Sequence, residues 1–151
     1  MISILLTASD DAKALARLLT ALVPAAAEGL VREVAVIGAA GASAALADDA
    51  GADLFDDFGA ATARVRGPWI AGLPLTATLA PDWMEILGVH LARDPPTPAH
   101  LVARPAGFSF ARGPEGWLAP KGLEASAGLV EQDLQRLARR SGRRLRVLDR
   151  R

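Results

Sequence analysis

The sequence contains no cysteine. That excludes disulfides, thiolate zinc sites and cysteine nucleophiles, and it fits a reducing, cytoplasmic setting. Histidine is scarce: His90 and His100 are the only two. Two separated histidines without cysteines make no metal-ligand spacing, so His90 reads as a core or flank residue and His100 as part of a proline-rich loop. No stretch approaches the roughly 18 uninterrupted apolar residues of a spanning helix, so no membrane span is expected. The opening "MISILLTASDD" lacks a basic region and soon turns polar, so no signal peptide is expected. Neither a nucleophile elbow, nor a Walker glycine loop, nor a repeat at solenoid spacing occurs.

What is present bounds the fold. The chain has 151 residues, of which 51% are hydrophobic. This is enough for one domain with a real core and too little for two ordinary ones. Much of the apolar share is alanine, which lets helices pack closely but buries little area per residue. Formal net charge is zero but unevenly spread, with nine acids and three bases in residues 1–62 against eight arginines and one acid in 136–151. Apolar Leu134, Leu137, Leu145 and Val147 interleave with those arginines, so the tail reads as a helix and a strand with a solvated basic face. The sharper reading is an anion, nucleic-acid or membrane-surface contact. No nucleic-acid partner is expected on the first reading.

Strand and helix signals alternate over the first 95 residues. "ISILLT" (2–7) reads as a buried strand. Ser9 is placed to cap a helix over Asp10 to Val23, with Pro24 after its end. "EVAVIG" (33–38) is a second strand, and residues 42–50 form a helix closed by Gly51. "ADLF" (52–55) is a short third strand, residues 59–66 a helix, and "PWIAGLPL" (68–75) a fourth strand. Pro81 opens a helix running to about Arg93, and "DPPTPAH" is a rigid extended loop. "HLVARP", "GFSFAR" and "GWLAP" read as strands around the turn "RGPEG". Residues 123–140 contain the last helix, and "RLRVLD" is a final strand. The alternation argues an α/β sheet, mostly parallel with crossover helices, and a mixed edge after residue 100.

"VAVIGAAGASAAL" (34–46) suggests a phosphate cradle. The dinucleotide fingerprint needs three glycines in G-x-G-x-x-G after a strand. Here only Gly38-x-x-Gly41 is present, after the second strand, which leaves a tight strand-to-helix turn as the plainer reading. Of two acid pairs, Asp48-Asp49 reads as helix surface. Asp56-Asp57 follows a strand end and is the better metal candidate. Trp69, Trp83 and Trp117 read as packing residues.

Four stretches taken together resemble the family 2 glycosyltransferases with the GT-A fold, in their short bacterial form. "LLTASDD" sits where that family has Pro-Thr-x-Asn-Glu, with Thr7, Ser9 and Asp10 at the matching positions. "LARLLTALVPAAAEGLVREVAVI" is similar to the helix and strand that follow. The family's second strand ends Asp-Gly-Gly-Ser-x-Asp, its first Asp contacting the nucleotide base. In this sequence Gly38 matches, Ile37 stands at the Asp and Ala42 replaces the second. "RVRGPWIAGLPLTATLAPDW" is similar to the run carrying the DXD-like motif, with Gly67, Trp69, Leu73, Leu79, Pro81 and Trp83 in register. Pro74, Leu75 and Thr76 replace its His-Ala-Asp, whose Asp holds the divalent cation. "GLVEQDLQRLARRSGRRLRVL" is similar to the Glu-Asp motif and its helix. Glu131 matches the Glu, Gln132 stands at the Asp that acts as base, and Asp133 takes that role if the register slips by one.

The resemblance spans nearly the whole chain, most strongly at 1–50 and 64–84. It implies a three-layer αβα Rossmann-like GT-A fold with a mostly parallel mixed sheet, truncated, as a single domain over 1–151. It implies nucleotide-binding roles for Thr7, Ser9, Asp10, Gly38 and Thr76 and catalytic roles for Glu131 or Asp133, with no metal ligand retained. A diphosphate leaving group concentrates negative charge that a carboxylate-held divalent ion normally stabilises. Threonine is a weak ligand for that ion, and losing the base costs a further roughly 10² to 10⁴ in rate. The expectation is a catalytically degenerate glycosyltransferase-like domain kept for binding or assembly, without a cofactor. Its partners would be a nucleotide or nucleotide sugar, or a protein or second copy covering apolar Ile37, Leu75 and the tryptophans. Two alternatives stay open. One is an active atypical glycosyltransferase, with Mn²⁺ or Mg²⁺ or with arginines as the phosphate clamp. The other is an unrelated α/β module that binds a nucleotide or anion.

Overall fold

The computed structural model describes residues 1–9, 11–104, 113–123 and 130–149. They form one eight-stranded sheet with helices on both faces. In chain order the elements are β1 (Ile2–Thr7), α1 (Ala12–Ala27), β2 (Val31–Ile37), α2 (Gly41–Asp49), β3 (Asp53–Phe55), α3 (Phe58–Arg64) and β4 (Trp69–Leu73). They continue as β5 (Thr78–Leu79), α4 (Trp83–Leu91), β6 (Ala99–Ala103), β7 (Glu115–Pro120), α5 (Glu131–Arg140) and β8 (Arg144–Asp149). The strands lie in the order β3-β2-β1-β4-β7-β6-β8-β5. β1, β2, β3 and β4 run parallel, β7 runs against both β4 and β6, and β8 runs parallel to β6 and against β5. This is the mostly parallel sheet with a mixed far side that the alternation of signals implied.

β1 is buried on both faces because its side chains alternate between two cores. Ile2, Ile4 and Leu6 join the core under α1, α2 and α4. Leu5 joins Ala35, Ile37, Ile70 and Trp117 under α3 and α5. Each such leucine or isoleucine contributes about 2 kcal/mol by leaving water. α1 packs through Leu15, Leu18, Leu19 and Leu22, spaced as one face of a helix.

Several boundaries differ from the sequence reading. Asp11, not Ser9, caps α1: its Oδ1 accepts from Ala14 N at 2.9 Å, while Ser9 Oγ accepts from Asp11 N at 3.3 Å. α1 also runs through Pro24 to Ala27. Proline removes the donor that would reach the Thr20 carbonyl, but Thr20 is exposed, so water can take its place. α4 begins at Trp83 because residues 81–82 form a turn, with Trp83 N bonding to Ala80 O at 3.1 Å. β5 was not expected; it is two residues long and exists by pairing with β8. The strand expected at 107–112 lies outside the described residues. Ile37, Leu75, Trp69, Trp83 and Trp117 are all buried within the chain. The expected exposed apolar patch is therefore not formed by these residues: they are core. Asp48 and Asp49 are exposed on α2, as the surface reading had it. Among the described residues no helix is long and apolar enough to cross a membrane.

At the N-terminal end of β1 a polar knot ties three segments together. Ser3 Oγ donates to Glu33 Oε1 at 2.6 Å and accepts from Gly67 N at 2.9 Å. Gly67 N also reaches Glu33 Oε1 at 3.1 Å, and the Arg66 amide and guanidinium donate to the same carboxylate. Burial raises the Glu33 pKa, but these hydrogen bonds together hold it below its ordinary value. A Cβ on Gly67 would lie 2.5 Å from Ser3 Oγ, so the glycine in register with the family motif is needed here for packing.

Candidate functional site

The C-terminal ends of β1 and β4 and the start of β7 open onto a cleft of about 440 Å³. In open α/β sheets this edge is where ligands bind. Thr7 and Ser9 come from the end of β1 and the residues after it. Gly72 to Thr76 come from β4 and the turn after it, Glu115 and Trp117 from β7, and Glu131 and Gln135 from the first two turns of α5. The topology explains the meeting: β7 is antiparallel to β4, with Trp117 paired to Gly72, so the start of β7 lies at the C-terminal end of β4.

Trp117 is the cleft's inner wall. It is 1% exposed, packs edge-on against Phe58 at 6.1 Å and directs Nε1 toward Glu131 Oε1 at 3.4 Å. The ring fits because β4 carries glycine opposite it; a Cβ on Gly72 would come within 2.2 Å of Trp117 Nε1. Glu115 has its carboxylate shared. Its Oε2 accepts from Arg139 NH2 at 2.6 Å and lies 3.2 Å from His100 Nε2, a buried nitrogen that lacks an aligned hydrogen bond. Burial lowers the His100 pKa; Glu115 opposes this, and Arg139 and Arg144 add to the lowering. The ring therefore favours its neutral form. Among the described residues no arginine, lysine or histidine lines the cleft itself.

Four of the residues singled out from the sequence meet here: Thr7, Ser9, Thr76 and Glu131. Asp10 lies outside the described residues. Gly38 is not part of the lining. It makes the turn after β2, with φ of 71° and its N–H donating to Phe55 O at 2.8 Å, a conformation glycine adopts without strain. Asp133 is also not part of the lining. Its carboxylate accepts from Val130 N at 3.4 Å and from Arg136 NH1 at 3.1 Å, which ties down the first turn of α5. Asp57 caps α3 through Ala60 N at 2.8 Å. Gln132 is exposed. Sequence reasoning missed Glu115 and Gln135. The only local signal for Glu115 was its alternation with Trp117 and Ala119 along one strand face.

The layer order and the placement of the cleft define a GT-A-type glycosyltransferase fold. Among solved structures, the chain is similar to glucosyl-3-phosphoglycerate synthase from Mycobacterium tuberculosis in complex with Mn²⁺, UDP and phosphoglyceric acid. That match has a TM-score of 0.61 at 15% identity over 83% of this chain and 57% of that one. A second structure of that synthase, with Mn²⁺, UDP and glucosyl-3-phosphoglycerate, matches with a TM-score of 0.66 at 16% identity over 100% of this chain and 72% of that one. A structure described as a mycobacterial protein matches at 0.63 and 18% identity over 83% of this chain and 55% of that one. The chain thus spans little more than half of the first and last of these. No family model matches the chain, and no curated protein matches it by sequence.

Proposed function

We propose that the chain is a glycosyltransferase-like binding domain whose cleft holds a hydroxyl-rich, uncharged ligand of the sugar type. On this reading it does not turn over a nucleotide sugar by the metal-dependent route. The observation that carries this is the cleft's donor and acceptor set. Thr7, Ser9 and Thr76 bring hydroxyls, Gln135 an amide, and Glu115 and Glu131 two carboxylates. Such a set accepts hydrogen bonds from sugar hydroxyls. A diphosphate would meet two carboxylates there, and Arg139, the cation beside Glu115, is already paired with that carboxylate.

The similar synthase structures hold Mn²⁺ and UDP, so the fit of a divalent ion to this cleft is a direct test. The donors do not fit it. Where the family motif has its aspartate, the turn after β4 offers Thr76, between buried Leu75 and buried Ala77. Of the two carboxylates, Glu115 is taken by Arg139 and Glu131 faces an indole N–H. Among the described residues no group of three histidine, aspartate or glutamate side chains gathers to hold a metal ion.

Calorimetric titration with glucose, UDP and UDP-glucose, each with and without Mn²⁺, tests the reading. The expected result is sugar binding that Mn²⁺ leaves unchanged, weak or absent UDP binding, and no UDP release from UDP-glucose. Mn²⁺-dependent UDP binding would overturn it. The alternative of an active atypical glycosyltransferase is favoured by one observation: Glu131 stands in the cleft at the first turn of α5, where a base could take an acceptor proton. UDP release that Glu131→Gln abolishes would establish that alternative instead.

A further inference from the structure

His100 is a buried polar side chain that the reading of the cleft leaves unused. It sits in β6, between β7 and β8. His100 pairs with Trp117 and Val102 with Glu115 across the antiparallel ladder, and Arg144 stands opposite His100 on β8. Cross-strand partners and alternate residues along a strand share a face. His100, Glu115, Trp117 and Arg144 are therefore on one face of the sheet, the one that α5 covers through Leu134 and Ala138. From the last turn of α5, Arg139 bonds to Glu115 on that face. The His100 side chain is 10% exposed, and its Nε2 is buried and lacks an aligned hydrogen bond. It lies 3.2 Å from Oε2 of Glu115, a residue of the cleft lining.

Two nitrogens meet at that oxygen. Arg139 NH2 donates to it at 2.6 Å, and His100 Nε2 flanks it. Oε1 accepts no hydrogen bond among the described residues, so it is the oxygen left for a ligand. A neutral His100 has little to give Oε2. It presents either a lone pair, which repels a carboxylate, or an N–H that is out of line. A charged ring adds Coulomb attraction, which depends on distance more than on alignment. The described charged groups facing the ring from the neighbouring elements are Glu115 on β7, Arg139 on α5 and Arg144 on β8. Burial and the two arginines favour the neutral ring and Glu115 opposes them, so half-protonation falls below the ordinary value of 6.5. Because Arg139 already fixes Glu115, a second cation adds little order. Its effect is to draw negative charge away from Oε1 and weaken it as an acceptor.

We propose that His100 acts through Glu115, as a positioning residue whose protonation weakens the cleft's hold on a sugar hydroxyl and so releases the ligand in acid. The release rests on the sugar reading of the cleft; the coupling of the two side chains does not. The first measurement therefore needs no ligand. Proton NMR of the whole protein follows the two imidazole rings as pH falls, and the signal absent from His100→Asn belongs to His100. Glu115→Gln should move its midpoint down, and Arg139→Gln should move it up. A midpoint that neither variant moves would overturn the proposal. The second measurement is calorimetric titration with glucose between about pH 8 and about pH 5, the range in which histidine changes charge. Affinity should fall by about fivefold across the His100 transition, roughly the gap between a charge-assisted and a neutral hydrogen bond, and stay level in His100→Asn. Affinity that is level in the parent too, or that falls equally in His100→Asn, would overturn the proposal. No glucose binding at any pH would overturn the sugar reading and the release with it, while the midpoints still decide whether His100 and Glu115 are coupled. Melting curves of every variant at each pH show that losses come from the cleft and not from unfolding.

Discussion

At the N-terminal end of β1, Glu33 is saturated with hydrogen bonds from Ser3, Arg66 and Gly67. At the C-terminal side, Glu115 and Glu131 face an open cleft beside three hydroxyl side chains. The same carboxylate chemistry serves two purposes within one sheet. A carboxylate that is fully bonded inside the protein has nothing left to offer a ligand, and its cost of burial is offset by its partners. Glu131, which meets the Trp117 indole at 3.4 Å, keeps acceptor sites at an open edge and is available for recognition, while Glu115, bonded to Arg139, stands between the two cases. Bonding saturation, more than residue type, separates Glu33 from Glu131.

Each end of the sheet can be perturbed separately. The largest effect expected is from Gly72→Val, which drives a side chain into Trp117 at the cleft wall. It should destabilise the fold by about 3 kcal/mol, the upper part of the range for overpacking, and abolish sugar binding; chemical denaturation checks the first and calorimetry the second. Next is Ser3→Ala, which leaves Glu33 and the Gly67 amide each one partner short. A loss of about 2 kcal/mol is expected, with sugar affinity at the far end retained.

A smaller effect comes from acid. The folded pKa values of His90 and His100 lie below their ordinary value of 6.5, and that of Glu33 lies below 4.5. In all three cases the unfolded chain takes up protons before the folded one. Stability is therefore fully present above the ordinary values and is lost as pH falls through the lowered ones. Melting temperatures measured from about pH 8 to about pH 4 should fall in two stages, the histidines first and Glu33 later. Ser3→Ala should shrink the second stage only. The smallest effect on stability is expected from Glu131→Gln, within about 0.5 kcal/mol because the side chain is at the cleft's edge. Its sugar affinity should nevertheless fall, and a variant that kept full affinity would remove Glu131 from the site.

Much of the fold was legible because periodicity carries far in this chain. The leucine stripe of α1, the buried run of β1 and the alternation in β8 each set an element by themselves. What was not legible depended on pairing. Thr78 and Leu79 are too short a stretch to show a period, and they become β5 only against Leu148 and Asp149. α1 passes Pro24, and Thr20, whose carbonyl loses its helical partner there, is an exposed residue, which no one-dimensional pattern records. The same division holds at the site. Thr7, Ser9, Thr76 and Glu131 were visible through their motif positions. Glu115 was not, because its place in the cleft follows from β7 lying antiparallel between β4 and β6. Asp133 looked equivalent to Glu131 in sequence, but two residues along a helix turn a side chain well away, and it serves the helix start instead.

The place of β8 has a consequence for how the molecule is made. β8 is inserted between β6 and β5, and it supplies Val147 and Leu148 to the core under α4. A nascent chain that has not yet emerged past residue 143 has no bridge between those two strands. It must hold β5 and the inner face of α4 unsealed through the synthesis of some sixty further residues. Long-range closure of this kind is slow and leaves apolar surface open to wrong contacts while it waits. During translation, the four parallel strands of the first half can settle early, and the far side of the sheet locks only when its latest strand arrives.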